Sequence, residues 1–160
     1  MSYALLTVLL LGIFSNAHGC CDSVSQMQRE LRASIDPDFY VPFNGYKYRL
    51  TQNSLNYDHA RAACEEMGGD LAVFGMRDLT TRRFIHTALD KKDSWIGLND
   101  INEEGQFKWL RGVRTGDEHW KEGEPNDSWD NEDCVQIVSD AMSNDMDCTK
   151  NYHGLCEIRI

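Results

Sequence analysis

Between Glu124 and Cys148 the chain reads EPNDSWDNEDCVQIVSDAMSNDMDC. Oxygen-bearing side chains crowd this stretch at Glu124, Asn126, Asp127, Asp130, Asn131, Glu132, Asp133, Asn144, Asp145 and Asp147, with no Lys or Arg among them. Carboxylates at such density repel one another and cannot all stay ionised in a folded chain unless a cation stands among them. Carboxylate, carboxamide and carbonyl oxygens, without an imidazole or thiolate pattern, suit calcium better than a softer metal. The stretch therefore reads as a calcium site, and the rest of the chain as what holds it in place. The competing reading is an acidic, solvated surface.

The charge distribution bears on that choice. The net charge is −10, yet from Asp93 to Asp147 there are 15 acidic residues against four basic ones, Lys108, Arg111, Arg114 and Lys121. Charge carried for solubility would be spread more evenly. A nucleic-acid partner is disfavoured, because phosphates are bound by clustered Lys and Arg. At 160 residues and 41% hydrophobic composition, the chain has material for one domain with a core of its own.

The elements that must position the acidic stretch come next. Residues 1–19 read as a signal peptide: Ala4 to Phe14 is apolar but too short to span a bilayer, and Ala17-His18-Gly19 has small residues where a signal peptidase looks. The expected location is extracellular, by secretion, with no membrane insertion. Six cysteines fit an oxidising compartment. Cys64, Cys134, Cys148 and Cys156 allow three pairings, among which the residues alone do not choose. Cys20 and Cys21 open a 20–42 arm with Val24, Met27 and Leu31 on one helical edge, and are candidates for interchain bonds in a disulfide-linked homo-oligomer.

Past Pro37 and Pro42, a domain is expected over 43–160. Tyr46, Tyr48 and Leu50 alternate as in a strand. A helix is expected from Tyr57, with Ala60, Ala63, Cys64 and Met67 on one face and Gly68-Gly69 at its end. Leu71 to Phe74 reads as a buried strand. Leu79 to Leu89 reads as a second helix capped by Asp78, with Ile85, Ala88 and Leu89 inward. Further strands are expected at Ser94–Leu98, Gln106–Trp109, Cys134–Val138 and Gly154–Ile158. Helices first and strands later give an α+β class.

Trp95-Ile96-Gly97-Leu98, Glu124-Pro125-Asn126, Glu132-Asp133-Cys134, Asn144-Asp145, Cys148 and Cys156 follow one another at fixed spacing, with EPN eight residues before Glu132 and twenty before Asn144. The set resembles the C-type lectin domain family, and within it the mannose-type subgroup of the mannose-binding proteins, over roughly Phe43 to Ile160. The resemblance implies the C-type lectin fold: two helices, small antiparallel sheets, a long calcium-binding loop region and two core disulfides, Cys64 with Cys156 and Cys134 with Cys148. It also implies a cis peptide between Glu124 and Pro125, an isomer accessible at low cost only before proline.

Position by position, the resemblance places a sugar-binding calcium on Glu124, Asn126, Glu132, Asn144 and Asp145. Two neighbouring sugar hydroxyls would each give a lone pair to the ion, donate to Glu124 or Glu132 and accept from the amide of Asn126 or Asn144. Glu before Asn resembles members that select mannose, fucose or N-acetylglucosamine, whereas galactose-type members carry Gln-Pro-Asp. An auxiliary calcium is implied on Asp100, Glu104, Asp127 and Asp133, with Glu132 contributing. Two residues depart from the pattern. Ser143 stands where Trp is common, so a packing residue behind the ligands is expected to be missing. Trp129 stands where a small residue is common, and either stacks on a sugar face or anchors the loop by partial burial. Asn126-Asp127-Ser128 is formally a glycosylation sequon, read as unused because Asn126 is already a calcium ligand. Trp95, Trp109 and Trp120 read as core.

The function these readings imply is a secreted, calcium-dependent lectin for mannose-type glycans on microbial or cell surfaces, acting in innate immunity or agglutination. Two alternatives are a calcium-stabilised module for protein, ice or mineral, and a lectin of broadened, galactose-tolerant specificity. An enzyme is not expected. His59, His86, His119 and His153 form no HExxH pair and there is no GxSxG elbow. Paired carboxylates that ligate calcium make poor proton donors for glycoside hydrolysis.

Overall fold

The alternation at Tyr46, Tyr48 and Leu50 becomes strand β1 (Tyr46–Leu50) in the computed structural model, which describes residues 44–160. The expected signal peptide, the 20–42 arm and Cys20 and Cys21 lie outside the described residues. Tyr48 is fully buried, and its hydroxyl donates to Glu157 Oε2 at 2.8 Å. Helix α1 (Tyr57–Glu66) starts where Asn56 Oδ1 accepts from His59 N at 3.0 Å. It stops at Gly68, whose φ of +81° is a conformation L side chains rarely adopt. Tyr57, Ala60 and Cys64 form its buried face.

Strand β2 (Asp70–Leu71) is shorter than the expected run to Phe74. Phe74 instead opens a one-turn helix, α2 (Phe74–Arg77), because Gly75 N turns in to donate to Glu157 Oε2 at 2.9 Å. Phe74 remains partly exposed and stacks on Tyr46, ring centroids 5.1 Å apart. Helix α3 (Leu79–Ala88) is capped by Asp78, which accepts from Thr81 N at 2.8 Å. Its buried face is Arg82, Ile85 and His86, with Leu89 partly buried beyond it, while Ala88 is exposed, contrary to expectation.

Strand β3 (Ser94–Asn99) is buried along its whole length. A Cβ at Gly97 would lie 2.7 Å from Val73 Cγ2 and 2.9 Å from Leu71 O, so only glycine lets β3 pass this closely. Strand β4 (Lys108–Trp109) is half the expected length. Strand β5 (Cys134–Ile137) pairs antiparallel with β6 (Ser143–Met146), from Cys134↔Met146 to Ile137↔Ser143. Nothing in the residue pattern signals β6, because its buried residues are Ser143 and Asp145 while Met146 is only half-buried, the inverse of a hydrophobic alternation. Strand β7 (His153–Arg159) closes the chain.

The strand order is β1-β7-β3-β5-β6, with β2 also on β7 and β4 also on β3. The sheet is mixed rather than purely antiparallel, since β3 and β7 run parallel through Ser94↔His153 and Trp95↔Gly154. Both disulfides are present as the resemblance implied. Cys64–Cys156 joins α1 to β7, and Cys134–Cys148 joins β5 to the segment after β6. Trp95 is the centre of one packed cluster, with Tyr57 and Tyr152 edge-on to it at 5.6 and 5.1 Å and its Nε1 donating to Leu55 O at 2.9 Å. Trp109 is buried in the neighbouring cluster, and Trp120 packs against that cluster partly buried. No helix among the described residues is long and apolar enough to cross a membrane.

Candidate functional site

The loop before β5 is tied to β6 by main-chain bonds centred on one residue. Ser143 N donates to His119 O at 2.8 Å and Ser143 O accepts from Lys121 N at 2.9 Å, with a parallel bridge at Trp120. Three residues past Lys121 comes Glu124, and the Glu124–Pro125 peptide is cis. Beyond it the loop coils through left-handed residues, Asp127, Trp129 and Asp130 at φ of 41°, 65° and 52°. Such backbone leaves N–H groups without ladder partners, and acidic side chains take them up. Asp145 Oδ1 accepts from Asn126 N at 3.2 Å and its Oδ2 from Asp127 N at 2.7 Å. Glu132 Oε2 accepts from Ser128 N at 3.0 Å, and Asp127 Oδ1 accepts from Glu132 N at 3.2 Å.

Three of the five residues expected at the sugar-binding calcium meet through side chains: Asn126 donates its backbone N–H to the Asp145 carboxylate and its side-chain amide to Glu124 Oε2. Glu132 reaches the group through Ser128 and Asp127. Asn144 lies beside Asp145 on β6, its amide donating to the main-chain carbonyl of Asp145 at 2.6 Å rather than to a side chain of the set. Among the described residues, no three Asp, Glu, His or Cys side chains are already drawn together as a metal cage.

The electrostatics show what the arrangement resists. Partial burial raises the Glu124 carboxyl above its ordinary value; the Asn126 amide opposes this, and the charges of Asp145 and Glu132 add to it. Partial burial likewise raises Glu132, against the Ser128 bond, with Asp145 and Asp127 adding repulsion. Each of these carboxylates is harder to ionise than in water, so the cluster favours a cation.

At the expected auxiliary position, Asp100 N donates to Asp133 O at 3.0 Å, and Asp100 Oδ2 accepts from Gly105 N at 2.8 Å. Asp100 is buried to 3% exposure and its Oδ1 has no hydrogen-bond partner. Burial pushes its carboxyl up to about 6, offset by the Gly105 bond and increased by the charges of Glu104 and Asp133. Glu104 is exposed, and Asp127 is engaged with Glu132. An orphaned buried carboxylate oxygen in an all-oxygen donor set fits a hard divalent cation such as calcium.

Trp129 is 95% exposed, so the loop-anchor reading of this residue is overturned. Ser143 stands where a packing Trp is common, and here its Oγ takes a bond from the guanidinium of Arg82 at 2.9 Å. Sequence reasoning missed Arg82, although 82, 85, 86 and 89 follow the i, i+3, i+4, i+7 spacing of an inward helical face.

Residues 53–158 match the family model described as the lectin C-type domain. The chain belongs to the C-type lectin domain family. It is 33% identical over 117 residues to a chicken (Gallus gallus) hepatic lectin, covering 72% of this chain and 56% of that one. It is 29% identical over 121 residues to lectin BRA-3 of Megabalanus rosa, covering 74% of each. The carbohydrate-recognition domain of cow CD23, in the presence of a GlcNAc2Man3 oligosaccharide, superposes with a TM-score of 0.70 at 27% identity, covering 77% of this chain and 94% of that one. The chain spans 56%, 34% and 42% of the lengths of the first three curated relatives it matches. The C-type lectin fold and its two disulfides therefore stand as facts of this protein.

Proposed function

We propose that this C-type lectin domain binds mannose-type glycans through calcium held by Glu124, Asn126, Glu132, Asn144 and Asp145, with a second calcium on Asp100, Glu104, Asp127 and Asp133 aided by Glu132. The observation that carries the reading is the junction at Asp145, whose two carboxylate oxygens take the backbone N–H groups of Asn126 and Asp127 and so draw the Glu124-Pro125-Asn126 loop onto β6. The unpartnered Asp100 oxygen supports the second site. The relative solved with a mannose-containing oligosaccharide supports the choice of glycan.

Calcium, when bound, supplies coordination positions for two adjacent sugar hydroxyls. The chain's own residues do the rest. Glu124 and Glu132 accept the hydroxyl hydrogens, and the amides of Asn126 and Asn144 donate to the hydroxyl oxygens. Carboxylate accepts and amide donates, so a diol with both hydroxyls correctly disposed leaves no polar group unsatisfied. The exposed Trp129 ring offers an apolar face beside the loop. The protein binds rather than catalyses. A single site of this kind gives roughly millimolar affinity, about 4 kcal/mol, and linking several copies multiplies it by about a hundred to ten thousand. Secretion, a disulfide-linked oligomer through Cys20 and Cys21, and agglutination of glycan-coated cells complete the reading.

The test is retention on mannose resin in calcium, with release by EDTA. Glu124→Ala should pass through unretained with an unchanged far-UV spectrum; wild-type flow-through, or retention of Glu124→Ala, contradicts the assignment.

A further inference from the structure

Arg82 is the largest charged side chain buried in the described fold; the charge of Asp140 acts on it, but no carboxylate among the described residues bonds it directly. It is fully buried on α3, and among the described residues no acidic group lies within ion-pair distance of it. Its guanidinium instead gathers neutral oxygens from three separate segments. Nη1 donates to Met76 O at 3.3 Å and to Glu118 O at 3.1 Å, and Nη2 donates to Ser143 Oγ at 2.9 Å. Ser143 Oγ in turn donates to Glu118 O at 2.6 Å, closing a small ring of bonds. A buried guanidinium with no carboxylate at ion-pair distance is costly, and truncating it would take this donor from Met76 O and leave Glu118 O and Ser143 Oγ with only the bond between them. Arginine's planar fork can satisfy acceptors on several segments at once, whereas a lysine ammonium is a single point on a flexible stem.

The location gives this ring its meaning. Ser143 bonds the 118–121 segment through its N–H, its carbonyl and its hydroxyl. One and two residues after Ser143 come Asn144 and Asp145, and three residues after Lys121 comes Glu124. The two arms of the ligand set therefore leave from a single junction, and the Arg82 guanidinium fastens that junction to α3.

We propose that Arg82 is a positioning residue for the glycan site: by holding Ser143 and Glu118 together it fixes the register of the 118–124 segment against β6, and so the spacing between Glu124-Asn126 and Asn144-Asp145. This rests on the calcium-lectin reading for its functional consequence, but the register itself can be measured without calcium.

The experiment compares the full chain with Arg82→Met, Arg82→Lys and Ser143→Ala. Calcium affinity is measured by titration calorimetry, and amide hydrogen exchange is measured in EDTA. Calcium affinity should fall about tenfold to a hundredfold in each variant, as for other residues that orient metal ligands. Exchange should quicken at the Lys121 and Ser143 amides while β1 and β7 amides keep their protection. Arg82→Lys should behave as Arg82→Met, because the fork matters and not the charge. Calcium affinity within twofold of wild type, or full rescue by lysine, overturns the proposal. Should Arg82→Met lose protection everywhere, Ser143→Ala decides, since it removes one hydroxyl and keeps the fold. Should the wild type take up no calcium, the functional reading fails, and exchange at Lys121 and Ser143 alone decides the role of Arg82: unaltered rates overturn it.

Discussion

The two halves of the domain are held by different forces. Around β1, α1 and β7, order comes from buried apolar surface and from Cys64–Cys156, which spans 92 residues of sequence. Around the 118–133 loop it comes from acidic side chains accepting backbone N–H groups, from left-handed residues and from Cys134–Cys148, which spans 14. The first kind of order needs nothing from solution. The second brings carboxylates together at a cost that a cation removes. Scaffold and site are therefore separable, and the domain should stay folded while its loop responds to calcium and acid.

The largest expected effect sets the two disulfides against each other. Closing a loop of about 92 residues is worth about 4–5 kcal/mol in the chain-entropy picture, and one of about 14 residues about 3 kcal/mol. Denaturant unfolding of Cys64→Ser/Cys156→Ser should show the greater loss of stability, and Cys134→Ser/Cys148→Ser the greater loss of calcium affinity. The reverse ranking would break the division between scaffold and site.

Acid should act on the loop before the scaffold. Glu124, Glu132 and Asp100 are raised, Asp100 to about 6, so they take up protons more readily than ordinary carboxylates. Calcium requires them ionised. Mannose retention should fall as pH drops from about 6 towards about 4, the ordinary carboxylate value, with the β1 and β7 amides still protected. Calcium affinity that stays flat to pH 4 would refute this.

A smaller effect sharpens the same contrast. The folded value of Asp100 lies above its unfolded one, so its contribution to stability is present at low pH and lost as pH rises through about 6. In EDTA at pH 7.5, Asp100→Asn should melt a few degrees higher than wild type, and the gain should vanish near pH 4. With calcium the substitution should lower the melting temperature instead. A variant that melts lower in EDTA would show that this carboxylate is not a source of repulsion. The smallest effect is at Trp129, where alanine should leave melting unchanged, because the ring is 95% exposed. Mannose affinity should fall by no more than a few-fold; a loss of melting temperature would reinstate an anchoring role.

How much of this was legible beforehand follows the same division. Helices α1 and α3 showed in their apolar spacing and caps, and β3, β5 and β7 in compact hydrophobic runs, since burial there selects apolar residues. The expected ligand set comes from its spacing and a family resemblance, and of it the fold brings Glu124, Asn126 and Asp145 into contact. Strand β6 was not, because it buries Ser143 and Asp145 and pairs through its backbone. Arg82 was passed over because a charged residue on a helix ordinarily reads as solvent-facing, and only the segments folded against it reveal three acceptors. Periodicity alone places Ala88 inward, two residues beyond the last buried side chain of α3. The helical turn at Phe74 arose from Gly75 reaching Glu157, a partner 82 residues away that no local pattern signals.

The strand order separates the two ends of the described chain from the loop proposed to bind glycan. Strands β1 and β7 are neighbours, with Ile160 N donating to Gly45 O at 3.1 Å, whereas β6 lies at the opposite limit of the order. Coupling the domain to a sensor chip, bead or fusion partner through either end would leave the recognition face pointing away from the support. Capture through surface lysines would orient it at random, so end-coupled layers should show the higher active fraction per molecule immobilised.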